Sequence, residues 1–193
     1  IEELTEASRD DVRLFAVFLD DYHVRLENSM RAREPIARFI EERLQAADMA
    51  GIMYPLWSIS DVMLTRNRKD VAGAIRAFQG RKYDYTPRNA FEERYVHYVS
   101  TVEAERIRNQ VTLSALKGLI TRLGGLREGR KAILLISEGF TNSMPAQVQD
   151  PIAAQDALFH HCEQGVDRLR RLRPAQTFVI LLEDANQCGL GHR

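Results

Sequence analysis

Acidic side chains follow three apolar runs of this sequence that are typical of buried strands. The acids are Asp20 and Asp21 after residues 14–19, Glu138 after residues 132–136, and Glu183 and Asp184 after residues 177–182. The carboxyl ends of the strands form the ligand-binding edge of an open α/β sheet, so we expect these side chains to gather there. Clustered carboxylates repel one another unless a cation or a proton intervenes, and oxygen ligands suit Mg²⁺, Ca²⁺ or Mn²⁺. The pattern predicts a metal site at Asp20, Asp21 and Glu138; the alternative is that the acids cap helices and face water.

Signatures of catalysis do not accompany these acids. Gly124 and Gly129 match the start of a phosphate-binding loop, but Arg130 and Lys131 follow where a lysine and a hydroxyl residue are needed. Ser137 lacks the glycine pair of a nucleophile elbow. We therefore predict that the chain is not an enzyme. A Mg²⁺-dependent phosphoryl-transfer or hydrolase domain that uses the same acids is the alternative.

Apolar periodicity predicts the elements that position the acids. The predicted strands cover residues 14–19, 51–59, 132–136 and 177–182. The first predicted helix follows a cap at residue 28 or 29 and has its apolar positions within 36–44, and the other predicted helices cover residues 70–78, 93–123 and 156–172. Pro55 indicates that the second strand lies at an edge or carries a bulge. Asn28 or Ser29 is the expected cap of the first helix, and Gly124 with Gly125 ends the third. The order of elements predicts a Rossmann-like, doubly wound, mostly parallel sheet flanked by helices.

Composition favours one folded unit over residues 1–193. Within it we expect a polar lead-in over residues 1–13, an insertion over 80–105 and an irregular tail over 184–193. The 27 basic and 27 acidic residues give a net charge of zero, so no overall field attracts nucleic acid or an anionic membrane. No apolar run approaches the ~18–20 residues that a membrane span needs.

Aromatic residues are concentrated in the turn-rich segment 80–92. They are Tyr83, Tyr85 and Phe91. Because aromatic side chains are favoured in protein interfaces, we predict that this segment contacts a protein partner; the alternative is a loop that packs over the sheet. Tyr22 and His23 follow the acids of the first strand, and we predict that they contribute to the rim of the binding edge.

One stretch of the chain resembles a known family. Residues 106–140 (RIRNQVTLSALKGLITRLGGLREGRKAILLISEGF) combine a long helix, a glycine turn, Gly-Arg-Lys and an apolar strand that closes in Ser-Glu-Gly-Phe. This arrangement resembles the bacterial domains related to von Willebrand factor A, and residues 14–21 (LFAVFLDD) are similar to that family's first strand. The resemblance covers residues 12–140. It implies a doubly wound fold, a secreted or otherwise extracytoplasmic location, and non-catalytic binding of a protein partner through a metal held at the strand ends.

The sequence departs from that family's Asp-x-Ser-x-Ser motif. The serine positions hold Tyr22 and Val24 after Asp20, or His23 and Arg25 if Asp21 is the aligned acid. The family's threonine aligns near Gln110, with Thr112 and Thr86 as alternatives, and its late aspartate is Glu138. We therefore expect a degenerate site that binds Mg²⁺ or Ca²⁺ weakly or not at all. A purely structural domain of a longer secreted protein is a further alternative.

Overall fold

The strands form one sheet in a computed structural model that describes residues 12–126 and 130–140 and the backbone of 178–181. They are β1 (Leu14–Leu19), β2 (Met49–Met53), β3 (Lys131–Ser137) and β4 (Phe178–Leu181). Their order across the sheet is β2-β1-β3-β4. β1 runs parallel to both of its neighbours, whereas β4 runs antiparallel to β3. The three strands predicted from continuous apolar runs are confirmed, and β4 departs from the parallel pattern.

Among the described residues, one α-helix follows β1, and three α-helices lie between β2 and β3. They are α1 (Leu26–Arg43), α2 (Arg68–Arg76), α3 (Ala90–Val96) and α4 (Thr101–Gly124), with a short 3-10 helix over Ile59–Asp61. α2, α3 and α4 each begin at a side-chain cap, provided by Asn67, Asn89 and Ser100. Within the described part of the chain, none of the helices has the length and apolar character needed to cross a membrane.

Side chains along β1 alternate between two apolar layers. Val17 and Leu19 belong to a core with α1 and α2, which contribute Ile36, Ala37, Ile40, Val71, Ala72 and Ile75. Ala16 and Phe18 belong to a second core, to which α4 contributes Leu119 and Leu123. Because both faces of the strand are covered, the run is apolar throughout instead of alternating. The α/β prediction is confirmed at the level of a small parallel sheet between helices.

The single helix predicted over residues 93–123 is wrong, since the structure has two helices there. α3 ends at Val96, and α4 begins at Thr101 after the Ser100 side chain accepts a hydrogen bond from the N–H of Glu103. Apolar positions continue on both sides of this break, so periodicity did not reveal it. The predicted end is confirmed, because α4 stops at Gly124.

The predicted caps of the first helix are also wrong. α1 begins at Leu26, before Asn28 and Ser29, and its N-cap Arg25 makes no side-chain capping bond. Asn28 Nδ2 instead donates to Glu138 Oε1 at 2.6 Å, and Ser29 Oγ donates to the Leu26 carbonyl at 2.7 Å. Asn28 thus ties α1 to the end of β3.

β2 occupies the edge of the sheet that Pro55 indicated, but the strand is shorter than predicted. It starts at Met49 and ends at Met53, and the rest of the predicted strand 51–59 forms a turn and the start of the 3-10 helix. Proline has no N–H to donate to a strand ladder, which explains why the strand stops before it.

The ends of the predicted domain are only partly described. The predicted helix over 156–172 and the predicted tail over 184–193 lie outside the described residues. Of the predicted lead-in 1–13, Val12 is buried, and Arg13 donates to Asp48 through Nε at 2.8 Å and Nη2 at 2.6 Å. The last residues of the lead-in therefore belong to the folded part of the chain.

Gly51 in β2 provides a test of this packing. A Cβ atom added there would lie 2.5 Å from the Met63 carbonyl oxygen, which is backbone and cannot move aside cheaply. We expect Gly51→Ala to lower the free energy of unfolding by about 1–3 kcal/mol, the usual cost of overpacking. Urea denaturation followed by circular dichroism measures it.

The matched control is Gly73→Ala on α2. A Cβ atom at Gly73 would meet nothing within 4 Å. Alanine favours a helix over glycine, so this variant should be unchanged or up to about 1 kcal/mol more stable. Equal stability of both variants would contradict the packing of β2 against the Met63 segment.

Candidate functional site

The tips of β1 and β3 meet at one edge of the sheet. Leu19 pairs with Ile136, and the N–H of Asp20 donates to the Ile136 carbonyl at 3.0 Å. β2, which comes next in the chain, lies on one side of β1, and β3 lies on the other side, so the strand order reverses at β1. The space beyond β1 and β3 is therefore where an open α/β sheet usually holds its ligand. The first and third predicted strands are thus neighbours, which brings the acids that follow them to the same edge.

The Asp20 carboxylate lies at the centre of this edge and is fully buried. His23 Nδ1 lies 2.9 Å from each of its two oxygens. Ser137 Oγ donates to Oδ2 at 2.7 Å, and Thr112 Oγ1 donates to Oδ1 at 3.4 Å. Donors from the β1–α1 loop, β3 and α4 thus converge on one carboxylate.

The His23 ring fills the space beside Asp20. It is fully buried, and its Nε2 faces Asn109 Oδ1 on α4 at 2.8 Å. The rings of Tyr22 and Phe140 pack edge-on against it, with centroids at 6.4 and 5.0 Å. Both ring nitrogens thus lie within hydrogen-bond distance of side-chain oxygen atoms. We call Asp20, His23, Asn109, Thr112 and Ser137 the Asp20 cluster.

The other two predicted metal ligands have partners of their own. Asp21 Oδ2 lies 2.7 Å from Arg81 Nε. Burial raises the pKa of Asp21, against the opposing charge of Arg81. Glu138 Oε1 accepts from the Arg25 N–H at 2.8 Å, and Glu138 Oε2 lies 3.5 Å from Lys82 Nζ. The fold brings the three acids to one edge, but each carboxylate is engaged separately.

Tyr22 lies in the interior and not at the predicted rim. Its side chain is fully buried, and its hydroxyl donates to Glu92 at 2.8 Å. The guanidinium groups of Arg81 and Arg108 lie over its ring at 4.6 and 4.9 Å. Burial, and then the hydrogen bond to Glu92, raise the pKa of Tyr22 far above its ordinary value. His23 is equally buried, so neither side chain is available as a rim.

Glu92 and Arg81 form the ion pair that holds the segment after α2 in place. Both side chains are buried, and both guanidinium Nη atoms of Arg81 contact the Glu92 carboxylate. Burial by itself would raise the pKa of Glu92, but the hydrogen bonds from Arg81, the Arg88 N–H and the Tyr22 hydroxyl lower it. The pair is therefore a charged one, and it fixes the loop that was predicted as an insertion.

The three aromatic residues of that loop have different positions. Tyr85 donates to Glu105 at 2.7 Å and lies under Arg108 at 4.6 Å, so its ring is part of the packing. Tyr83 is 60% exposed and has a positive φ of 71°, an uncommon conformation for a bulky residue. Phe91 is 46% exposed. Tyr83 and Phe91 are therefore exposed, and their contact with a protein partner stays a prediction.

A groove of about 550 Å³ opens between the carboxyl end of β2 and α4. Its lining consists of Met53, Pro55, Trp57, Ile59, Phe91, Ile107, Gln110, Val111, Ser114, Ala115 and Gly118. Trp57 is 41% exposed, and its ring packs on that of Tyr54 with centroids 5.1 Å apart. Most of the lining is apolar, while Gln110 and Ser114 add hydrogen-bonding groups. Trp57 was not predicted as a site residue.

Sequence reasoning also missed most of the polar partners in the interior. Arg108 and Asn109 are buried on α4, and Arg81 and Glu92 are buried beside it. A usable signal existed only on α4, where Arg108 and Thr112 share a helical stripe with Leu119 and Leu123. Polar residues on the stripe that faces the core predict a buried polar cluster.

The Asp20 cluster has neither an assembled metal site nor an activated nucleophile. Over residues 12–126, 130–140 and 178–181, no group of three or more His, Cys, Asp or Glu side chains is placed to hold one ion. Ser137 donates its hydroxyl hydrogen to Asp20 and not to His23, so the nucleophile–base contact of a hydrolase is not made by this pair. What the arrangement does is join the end of β1 to β3 and α4.

Comparisons of the chain with protein-family models, with curated proteins and with solved structures found no match. The resemblance to the von Willebrand factor A-related domains therefore stays a prediction.

Removing the Ser137 hydroxyl tests the role of the Asp20 cluster. Ser137→Ala takes a donor from a buried carboxylate, and the Ser137 oxygen also accepts from the Gly139 N–H at 3.1 Å. We expect a loss of about 1–3 kcal/mol in the free energy of unfolding, because a buried charged group is left short of a partner. Chemical denaturation measures it.

Ser114→Ala is the control for this change. Ser114 is exposed on α4, so its replacement should alter stability by no more than about 0.5 kcal/mol. A Ser137→Ala variant as stable as this control would show that the cluster does not hold the sheet edge together.

Proposed function

We propose that this chain is a non-catalytic module that binds a protein partner through the groove between β2 and α4. The observation that supports this most is the pair of partly exposed aromatic residues, Trp57 and Phe91, that lines a concave apolar surface. Exposed aromatic side chains around an apolar depression are typical of protein contact sites.

The position of the groove supports the same proposal. Met53 ends β2, and Pro55 and Trp57 follow it, so the groove lies at the carboxyl edge of the sheet. Binding at this edge is the general behaviour of open α/β sheets. Gln110 and Ser114 give a bound chain hydrogen-bond partners, while Ala115 and Gly118 leave room for it to approach α4 closely.

The alternative of a metal-dependent phosphoryl-transfer or hydrolase domain has less support. It requires the strand-end acids to be open to substrate, but Asp20 is fully buried. Glu138 is held by Arg25, Asn28 and Lys82. A binding role for the groove needs no rearrangement of these contacts.

The finer fold assignment is part of the same proposal. A doubly wound arrangement like that of the von Willebrand factor A-related domains agrees with parallel β1, β2 and β3 and with helices on both faces of the sheet. That resemblance also favours an extracytoplasmic setting and adhesion-type binding.

Trp57 makes the proposal directly testable, because it is the single tryptophan of the chain. The immobilised 193-residue chain is used to capture proteins from an extract of its source cells, and each captured protein is then titrated against free chain. We expect binding to shift Trp57 emission to shorter wavelength. Trp57→Ser should weaken binding by roughly thirtyfold, which is the effect of losing a hot-spot residue worth about 2 kcal/mol.

Two further variants define the surface. Gly118→Leu fills the groove while Trp57 stays in place, and it should weaken binding at least as much as Trp57→Ser does. Met63→Ser is the matched control, because Met63 is 69% exposed but does not line the groove, and it should bind like the unaltered chain. A partner that binds all three variants equally, or the lack of any captured protein, would contradict the proposal.

A further inference from the structure

We infer that the His23 imidazole takes the place that a divalent cation would need at the sheet edge, so that the edge is assembled without metal. The sequence predicts a degenerate site at Asp20, Asp21 and Glu138 that binds a metal weakly or not at all, and the observed contacts of these three residues favour the second outcome. The inference concerns the edge itself and holds whether or not the groove binds a partner.

The first observation is that three side chains already surround both oxygens of the Asp20 carboxylate. His23 Nδ1 contacts both oxygens at 2.9 Å, Ser137 contacts Oδ2 at 2.7 Å and Thr112 contacts Oδ1 at 3.4 Å. A cation at Asp20 would have to compete with all three of them.

The second observation is that His23 is held in this position from every side. Its Nε2 is 2.8 Å from Asn109 Oδ1, which anchors the ring to α4. The Phe140 ring packs against it at 5.0 Å, and the Tyr22 ring packs at 6.4 Å. Its backbone adds two bonds, since its N–H donates to the Asp20 carbonyl and its carbonyl accepts from the Glu138 N–H, both at 3.3 Å. A cation would have to displace a fully packed ring to reach Asp20.

The third observation is that the neighbouring acids have cationic partners from the protein itself. Asp21 is paired with Arg81, and Glu138 is paired with Arg25 and Lys82. Mutual repulsion of the acids is the physical reason to expect a metal. Because the basic side chains already pair with Asp21 and Glu138, repulsion between the acids no longer gives a reason to expect a metal.

The residues present therefore do not fit a divalent ion. Mg²⁺ and Ca²⁺ need several oxygen ligands at about 2.0–2.6 Å around one point. If Asp20 is the aligned acid, the serine positions of the resembling family hold Tyr22, whose hydroxyl donates to Glu92, and Val24, which has no side-chain oxygen. If Asp21 is the aligned acid, they hold His23 and Arg25, which also lack a side-chain oxygen. The His23 ring supplies the contact to Asp20 instead.

The test is a metal titration of the full 193-residue chain, with Asp20→Asn as the control for ions bound elsewhere on the surface. An ion at Asp20 present at about a hundred times its dissociation constant would raise the melting temperature by roughly 5–10 °C for a chain of this length. We expect Mg²⁺, Ca²⁺ or Mn²⁺ at about 10 mM to change the melting temperature of the two proteins equally. A rise seen in the unaltered chain and lost in Asp20→Asn would overturn the inference.

A second measurement decides the matter if Asp20→Asn does not fold. Mn²⁺ broadens the NMR signals of nuclei close to it, and it is added to the unaltered, isotope-labelled chain. We expect the signals of His23, Thr112 and Ser137 to stay sharp. Selective broadening of these three signals would place an ion beside Asp20 and overturn the inference. Partner capture plays no part in either measurement, so a failure of the proposed binding function would leave this result unaffected.

Discussion

The burial of the Asp20 carboxylate is the constraint on which the rest of this sheet edge depends. A charged group inside a protein is very costly unless hydrogen bonds and opposite charge compensate it. The compensation comes from three separate parts of the chain, namely His23 after β1, Thr112 on α4 and Ser137 at the end of β3. The contacts to one carboxylate therefore join the two strands and the long helix.

The same compensation extends outward through a second layer of charges. Arg81 joins Asp21 to Glu92, and Tyr22 lies between Arg81 and Arg108. This layer anchors the segment that carries Phe91, so the interior polar network positions one side of the groove. In the proposed function, the apolar groove beside the acidic edge is the binding surface, and the buried acids help to hold that groove in place.

The sequence predicted β1 and β3 well, because burial on both faces of these strands leaves short continuous apolar runs between polar residues. It also placed Asp20, Asp21 and Glu138 correctly at one edge, since the parallel strands β1 and β3 end on the same side. Glu183 and Asp184, expected at that edge too, lie outside the described residues and follow β4, which runs antiparallel to β3. The sequence did not predict the ion-pair partner of each carboxylate, because these partners are distant in the chain. Examples are Arg81 for Asp21 and Lys82 for Glu138. Trp57 was missed for a related reason: a single aromatic residue after a strand becomes notable only once α4 is packed opposite it.

The central claim is that His23, and not a metal ion, occupies the position beside Asp20. A crystal structure of the chain grown in Mn²⁺, with anomalous diffraction data, tests it most directly. The account predicts the His23 ring between Asp20 and Asn109, with no anomalous peak near the Asp20 carboxylate. An anomalous peak within about 2.6 Å of the Asp20 oxygens, with the His23 ring moved away, would contradict it.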